Sequence, residues 1–277
     1  MKTKKLITLL LLVSVFLCCS ACADESGEQD PPKSSTPIYG YEDITKEKSF
    51  TEEESGKVYA SYRYIVPMLR VANADELTEE SLTVAQRSTD AFNAKMQEIL
   101  DESVAYGEEM AQWYVEGETF SGTGLPLADE KVLSLSMTGS IISVMEDGYF
   151  YGGGAHPNSY TASYTFDLST GEFIDPATIA DDSEAFRIMA AALLVQKAES
   201  LGDDYTAGFF PDYAETISHW NERAVLFDKS GMTVIFSVYD IGPYAMGPVE
   251  LHLTYPELAE MLGENGLARL GIELPNN

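Results

Sequence analysis

Residues 149–171 read YFYGGGAHPNSYTASYTFDLSTG and contain two patterns, one after the other. From residue 160 to residue 168, apolar or aromatic side chains alternate with small polar ones, which predicts a β-strand with one buried face and one wet face. Gly171 ends the turn that closes this strand, because glycine adopts a positive φ without steric cost. The three glycines, His156 and Pro157 precede the strand, so they form its connection to an earlier antiparallel strand.

Upstream of this connection, the sequence predicts strands on either side of a long helical segment. Residues 58–69 are rich in β-formers and predict a first strand that ends near Pro67. Residues 133–144 are mostly apolar and alternate in part, which predicts strand structure. Between them, residues 81–115 carry apolar side chains at helical spacing, which indicates one long helix or two helices with a break near Gly107.

Downstream, a helix and further strands are predicted. Asp182 or Ser183 is the N-cap of a helix whose apolar stripe contains Phe186, Met189, Ala190, Leu193 and Leu194. Residues 224–239 predict a hairpin with its turn at residues 228–231, and residues 249–255 alternate as a closing strand. Helices inserted among antiparallel strands indicate the α+β class, with antiparallel sheets and packed helices.

The N-terminus has the features of a lipoprotein signal peptide. Its basic start is followed by an apolar run at residues 6–17, which is shorter than the roughly 20 residues of a spanning helix. Small residues precede Cys22, so we expect Cys22 to be the lipidated first residue of the mature chain. The protein would then be anchored at the outer face of the cytoplasmic membrane. An ordinary signal peptide with incidental cysteines is the alternative.

Composition narrows the possible partners. The formal net charge is -28, which disfavours nucleic acid and anionic lipid headgroups and attracts cationic partners. The three cysteines, Cys18, Cys19 and Cys22, all lie at the N-terminus, so no internal disulfide or thiolate metal site is expected in the mature chain.

The glycine-rich connection does not fit the common catalytic motifs. A phosphate-binding loop would need a lysine and a helix after the glycines, whereas Ala155, His156 and Pro157 lead into a strand. No G-x-S-x-G motif occurs, and no two histidines have the spacing of a helical zinc site, so neither a metal nor a cofactor is expected. Adjacent acids such as Asp181 and Asp182 are expected in so acidic a chain. His156 as a general base remains a catalytic alternative.

The glycines and the tyrosines of this connection together predict a binding role for it. Three glycines permit unusual backbone conformations and a close approach by another chain, and tyrosines provide large contact surfaces. Residues 239–248, YDIGPYAMGP, have the same character. The candidate ligand-binding residues are Tyr151, Gly152, Gly153, His156, Asn158, Tyr160, Tyr239, Asp240 and Tyr244.

Residues 149–171 resemble the signature Y-x-Y-x-GGAHP … FDL-x-TG of the extracellular domain of RsiV-like anti-sigma factors. The same domain precedes the catalytic part of the peptidoglycan deacetylase PdaC. Residues 227–231 and 239–258 are similar to that family's C-terminal signature, and the resemblance extends over roughly residues 49–262. It implies an extracellular α+β domain that, in RsiV-like proteins, is a receptor for lysozyme. The sigma-binding segment, the transmembrane helix and the deacetylase domain of those relatives have no counterpart in this sequence.

We therefore predict five segments along the chain. They are a lipoprotein signal peptide (1–21), a disordered tether (22–48), a small N-terminal α+β subdomain (49–145), an RsiV-like subdomain containing GGAHP (146–262) and a C-terminal tail (263–277).

The leading functional hypothesis is a lipid-anchored extracellular binding protein of the bacterial envelope. Its partner would be lysozyme, another cationic protein or a cell-wall polymer. One alternative is an enzyme that acts on the cell wall and uses His156, and another is a structural envelope lipoprotein.

Overall fold

A computed structural model describes residues 33–117 and 125–273 of the chain. The predicted signal peptide, the lipidation site Cys22 and the first part of the predicted tether lie outside the described residues. None of the helices in the described ranges combines the length and the apolar composition that crossing a bilayer requires.

Six strands form the larger sheet, in the order in which they occur along the chain. Neighbouring strands are antiparallel except for β2 and β3, which are parallel and are connected through the long helix α1. The elements are β1 (Tyr39–Thr51), β2 (Val58–Val71), α1 (Glu79–Glu116), β3 (Leu127–Thr138), β4 (Ile141–Tyr151), β5 (Asn158–Asp167) and β6 (Glu172–Ile174).

Helix α1 is a single helix of 38 residues that packs on one face of this sheet. Thr78 caps its start by accepting a hydrogen bond from the backbone of Ser81, and Gly117 ends it in the left-handed conformation. The possible break at Gly107 does not occur. Instead, Gly107 lets the helix approach β2 closely, since a Cβ there would clash with the ring of Tyr62.

The remaining strands and helices form a second layer. Strands β7, β8 and β9 make an antiparallel sheet, and two longer helices cover it around a core that contains Trp220 and Phe236. These elements are α2 (Ser183–Glu199), α3 (Asp203–Thr206), α4 (Tyr213–Ser218), β7 (Ala224–Phe227), β8 (Gly231–Phe236), β9 (Val249–Thr254) and α5 (Tyr255–Arg269). The predicted α+β class with antiparallel sheets and packed helices is confirmed.

Serine side chains connect the two sheets. The backbone N–H of Val225 in β7 donates to Ser163 Oγ of β5 (2.7 Å), and that of Phe227 donates to Ser143 Oγ of β4 (2.9 Å). The face of β5 that was expected to be wet is therefore covered near its end, where Thr165 is only 4 % exposed. The prediction of a wet face is wrong there, because the second sheet packs on it.

Four predicted boundaries need correction. The tether was predicted to reach residue 48, but Tyr39–Thr51 is strand β1, which pairs with β2 over its whole length. The tail was predicted from residue 263, but α5 continues to Arg269 after a non-helical residue at Gly263. Strand β2 was predicted to end near Pro67 but continues to Val71. At Pro67 it still pairs with β1, whereas its pairing with β3 ends at Ile65. The predicted subdomain boundary at residues 145/146 falls inside β4.

Candidate functional site

The connection between β4 and β5 holds its shape through contacts within itself. Tyr151 is 6 % exposed, and its hydroxyl donates to the carbonyl of Gly154 (3.0 Å). Gly153 has a φ of 89°, which favours glycine at that position. The exposed His156 ring has Nδ1 2.8 Å from the Pro157 carbonyl; because a carbonyl can only accept, this nitrogen is the donor. The contact therefore orients the imidazole and keeps Nε2 as the basic nitrogen of the neutral ring.

The loop between β8 and β9 holds an aromatic side chain in a strained position. Tyr239 has a φ of 71° and is 52 % exposed, and it is the one non-glycine residue in the described ranges with a positive φ. Its neighbour Asp240 fixes the turn, since Oδ2 accepts from the backbone of Ser237 (2.7 Å) and Oδ1 lies 3.5 Å from a guanidinium nitrogen of Arg223. Such strain persists only where surrounding contacts enforce it, and it is typical of functional sites.

The two loops meet through three aromatic rings. The rings of His156 and Tyr244 are stacked, with centroids 4.3 Å apart and an interplanar angle of 27°. Tyr244 in turn contacts Tyr239, with centroids 5.7 Å apart. We call His156, Tyr244 and Tyr239 the aromatic row. The structure thus brings together three of the residues that the sequence predicted for ligand binding, although His156 is distant from the two tyrosines along the chain.

The other predicted site residues have different surroundings. Tyr160 lies opposite Gly148 in the register, and its ring covers this glycine on the face of the sheet that α1 occupies. Since successive side chains alternate across a strand, Tyr151 points to the other face. Asn158 is exposed at the start of β5. Gly152 lies beside the ring of Phe150, which a Cβ at that position would meet at 2.9 Å.

A buried acidic group beneath Tyr160 was not predicted from the sequence. Glu146 is 4 % exposed and accepts hydrogen bonds from the hydroxyls of Tyr160 (2.8 Å) and Tyr164 (2.9 Å). Lys131 Nζ lies 4.0 Å from the same carboxylate. Burial, together with the adjacent Glu146 charge, raises the pKa of Tyr160 and of Tyr164 above the usual tyrosine value.

A second buried carboxylate lies on the same face of the sheet. Asp129 is 3 % exposed and accepts a hydrogen bond of 2.6 Å from the hydroxyl of Tyr64. Burial raises the pKa of Asp129, and the contributions of Tyr64 and Lys131 only partly offset this effect. We call Asp129, Lys131, Glu146 and their tyrosine partners the acidic network. The sequence signal that could have revealed it is the charge at Asp129 and Lys131, because the period of two places both on the same face of the strand as the core positions Leu127 and Leu133.

Comparison with known proteins gives a partial assignment. Residues 182–256 match the model of a family described as a protein of unknown function, DUF3298. The match is to the DUF3298 domain. A solved structure of a DUF3298 family member from Bacteroides fragilis has a TM-score of 0.59 at 18% identity, covering 86% of this chain and 98% of that one. A DUF3298 family protein from Pseudomonas aeruginosa has a TM-score of 0.52 at 14% identity, covering 84% of this chain and 98% of that one.

At these identities the structural neighbours establish the fold alone. No curated protein matches the sequence. The segment that matches DUF3298 runs from the N-cap of α2 into α5 and supplies Tyr239, Asp240 and Tyr244. His156 comes from outside that segment, so the aromatic row combines the DUF3298 match with the six-stranded sheet. Among residues 33–117 and 125–273, no cluster of three or more histidine, cysteine or acidic side chains could hold a metal ion.

Proposed function

We propose that this protein is a lipid-anchored extracellular binding protein of the bacterial envelope, and that the aromatic row is its contact surface for a cationic protein such as lysozyme. The observation that carries this proposal is the conformation of Tyr239, a half-exposed tyrosine held at a φ of 71° and in contact with Tyr244. An exposed aromatic side chain in a strained backbone is costly in the free protein, so a role in contact with a partner accounts for it.

The choice of a cationic partner is supported by charge and by resemblance. The formal net charge of -28 would steer a basic protein towards the surface and speed the encounter. The GGAHP segment resembles that of RsiV-like receptors, which bind lysozyme. Lipidation at Cys22 would hold the protein at the outer face of the membrane, where it could meet such a partner.

The surroundings of His156 favour binding over catalysis. Its described contacts are the Pro157 carbonyl and the Tyr244 ring, neither of which is a carboxylate that could stabilise an imidazolium during proton transfer. The buried carboxylates Asp129 and Glu146 instead accept from tyrosine hydroxyls beneath α1, where a polymer substrate would not reach them. A cell-wall polymer remains a second ligand for the same surface.

Titration of the full chain with lysozyme at low and at high salt tests the proposal. We expect binding at both salt concentrations, with a slower association at high salt because steering is screened while the aromatic contact is not. Binding that disappears at high salt would reduce the interaction to unspecific charge attraction and would contradict the proposal. Replacement of Cys22 by Ala tests the anchor separately, since the protein should then leave the membrane fraction.

A further inference from the structure

A small cavity beside β5, apart from the aromatic row, has a lining that is half polar and half apolar or aromatic, the latter being Tyr164, Phe173, Ile174 and Pro176. It has a volume of about 220 Å³, and its lining includes Ser163 and Thr165 of β5 together with Asn221 and Arg223, which precede β7. Arg223 is the only charged residue in this lining. The volume is far larger than the roughly 10–15 Å³ that one water molecule needs, so the cavity has room for a small organic group.

Two buried polar atoms of the lining lack partners within the described part of the protein. They are Oγ1 of Thr165, a residue that is 4 % exposed, and Nε of Arg223. A buried polar group without a hydrogen bond is unfavourable and is rare in native proteins, so each such atom calls for an explanation. Both atoms belong to residues that line the same cavity, so a molecule held there would supply the missing partners of both.

The cavity offers mainly hydrogen-bond donors. A guanidinium has five N–H groups, and the ion pair of Arg223 in the described structure is a single contact of 3.5 Å with Asp240. Ser163 Oγ already accepts from the backbone of Val225, which leaves its own O–H able to donate. The amide of Asn221 donates 3.3 Å away to Asp175, and its second N–H is a further donor. A ligand for this cavity must therefore supply acceptors.

We propose that this cavity, which we call the Arg223 cavity, binds the carboxylate group of a small organic molecule or of a peptide C-terminus. A carboxylate supplies two acceptor oxygens in the plane that a guanidinium fork matches, and Thr165 and Ser163 provide hydroxyl donors beside it. A second cavity, of about 470 Å³, shares Ser163, Asn221 and Arg223 in its lining, which also includes Glu222 and Asp240. The rest of a longer ligand would lie there, with its carboxylate kept on the Thr165 side of Arg223. This site goes beyond the proposed protein-binding role and does not depend on it.

NMR titration of the full chain tests the carboxylate site, with the backbone amides of Ser163, Thr165 and Val225 as reporters. Acetate should shift these amides, whereas acetamide, which has nearly the same shape but no charge, should not. Triglycine and triglycinamide form a second pair, because only the first has a free carboxylate. Tighter binding of triglycine than of acetate would identify a peptide C-terminus as the ligand class, and the reverse order would identify a small metabolite.

Two substitutions give the quantitative test. Arg223→Met should weaken binding of the preferred carboxylate by about tenfold or more, since it removes a charge-assisted contact, and Thr165→Val should weaken it about fivefold. Arg63→Met, which changes an arginine elsewhere on the large sheet, is the control for Arg223→Met. Thr138→Val is a matched control, because Thr138 Oγ1 is also buried without a partner in the described ranges but does not line this cavity.

Folding is checked by the thermal midpoint of each variant without ligand. If Arg223→Met does not fold, Arg223→Lys replaces it, since this variant keeps the charge but loses the planar fork. Three results would each overturn the proposal: equal shifts with acetate and acetamide, no response to either carboxylate, or unchanged affinity in the Arg223 and Thr165 variants. Water would then be the partner of these groups. Lysozyme binding should be unaffected by Thr165→Val, which separates this test from the proposed function.

Discussion

Two buried polar clusters beside strand β5 differ in how their groups are satisfied. On the α1 face, Glu146 is buried with its charge and receives hydrogen bonds from two tyrosine hydroxyls. On the other face, Thr165 and Arg223 bury polar atoms without a partner in the described structure. Satisfied polar groups in a core hold the fold together, whereas unsatisfied ones cost stability unless a further partner, such as a ligand in an adjoining cavity, satisfies them. This difference accords with a structural role for the acidic network and with the proposed binding role of the Arg223 cavity.

The largest expected effect comes from removing the acceptor of the acidic network. Glu146→Ala would leave the hydroxyls of Tyr160 and Tyr164 without an acceptor, and it would also remove the charge beside Lys131. We expect the free energy of unfolding to fall by about 3 kcal/mol. Urea denaturation measures this change, and Glu130→Ala on the exposed face of β3 is the control.

Glu146→Gln should be intermediate, because its amide retains one acceptor oxygen. An unchanged free energy of unfolding in Glu146→Ala would contradict the structural role of the acidic network. It would also remove the contrast between the acidic network and the Arg223 cavity.

The second prediction concerns the pH dependence of stability. Burial raises the pKa of Asp129, so between about pH 4 and that raised pKa the folded state holds more protons than the unfolded state. This contribution to stability is therefore greatest at low pH and is lost as the pH rises through the raised pKa. As the pH rises over that window, the free energy of unfolding of the unmodified protein should fall relative to that of Asp129→Asn.

Asp167 provides the opposite case within the same fold. Burial alone would raise its pKa, but hydrogen bonds from Ser169 and Arg269 outweigh burial and hold the pKa below the usual aspartate value. Its contribution is present above the usual pKa and is lost as the pH falls through the lowered one. If Asp167→Asn and Asp129→Asn changed the pH profile in the same direction, the assignment of these environments would be wrong. Asp43→Asn on β1 is the exposed control.

The third and smallest stability effect is expected at Tyr239. Because its φ is 71°, Tyr239→Gly should relieve backbone strain and raise the free energy of unfolding by up to about 1 kcal/mol. Tyr239→Ala keeps the strain and should not gain stability. Both variants should bind lysozyme more weakly, since both lose the ring. A loss of stability in Tyr239→Gly would show that the ring contributes more to folding than its backbone conformation costs.

Much of the fold follows from local pattern in the sequence. The alternation of β5, the helical spacing of α1 and the turn between β7 and β8 are strong signals that the structure reproduces. Strand β1 lacks such a signal because its side chains are mostly exposed, so it is specified by pairing with β2 rather than by its own residues. Helix α5 is hidden by Gly263, which interrupts the helical backbone with a φ of 70°.

The candidate site was predictable in composition but not in arrangement. Aromatic side chains next to glycines indicated both loops, and the contact of His156 with Tyr244 follows only from the packing of one sheet on the other. The position of Tyr160 on the α1 face follows from its alternation with Phe166, but its contact with Gly148 depends on the strand register, which the sequence does not reveal. The acidic network and the Arg223 cavity both arise from residues that are distant along the chain, and local periodicity carries no information about such pairs.

The role of the aromatic row is best tested by the affinity of lysozyme for the Tyr239→Ala/Tyr244→Ala double variant in about 1 M salt, where the Debye length is roughly 3 Å and charge attraction is screened. Tyr41→Ala is the matched control, because Tyr41 is similarly exposed but lies on β1. The account predicts that the double variant loses about 100-fold or more in affinity while the control is unchanged, as expected for aromatic hot spots. Equal affinity of the double variant and the control would show that the row is not the contact surface.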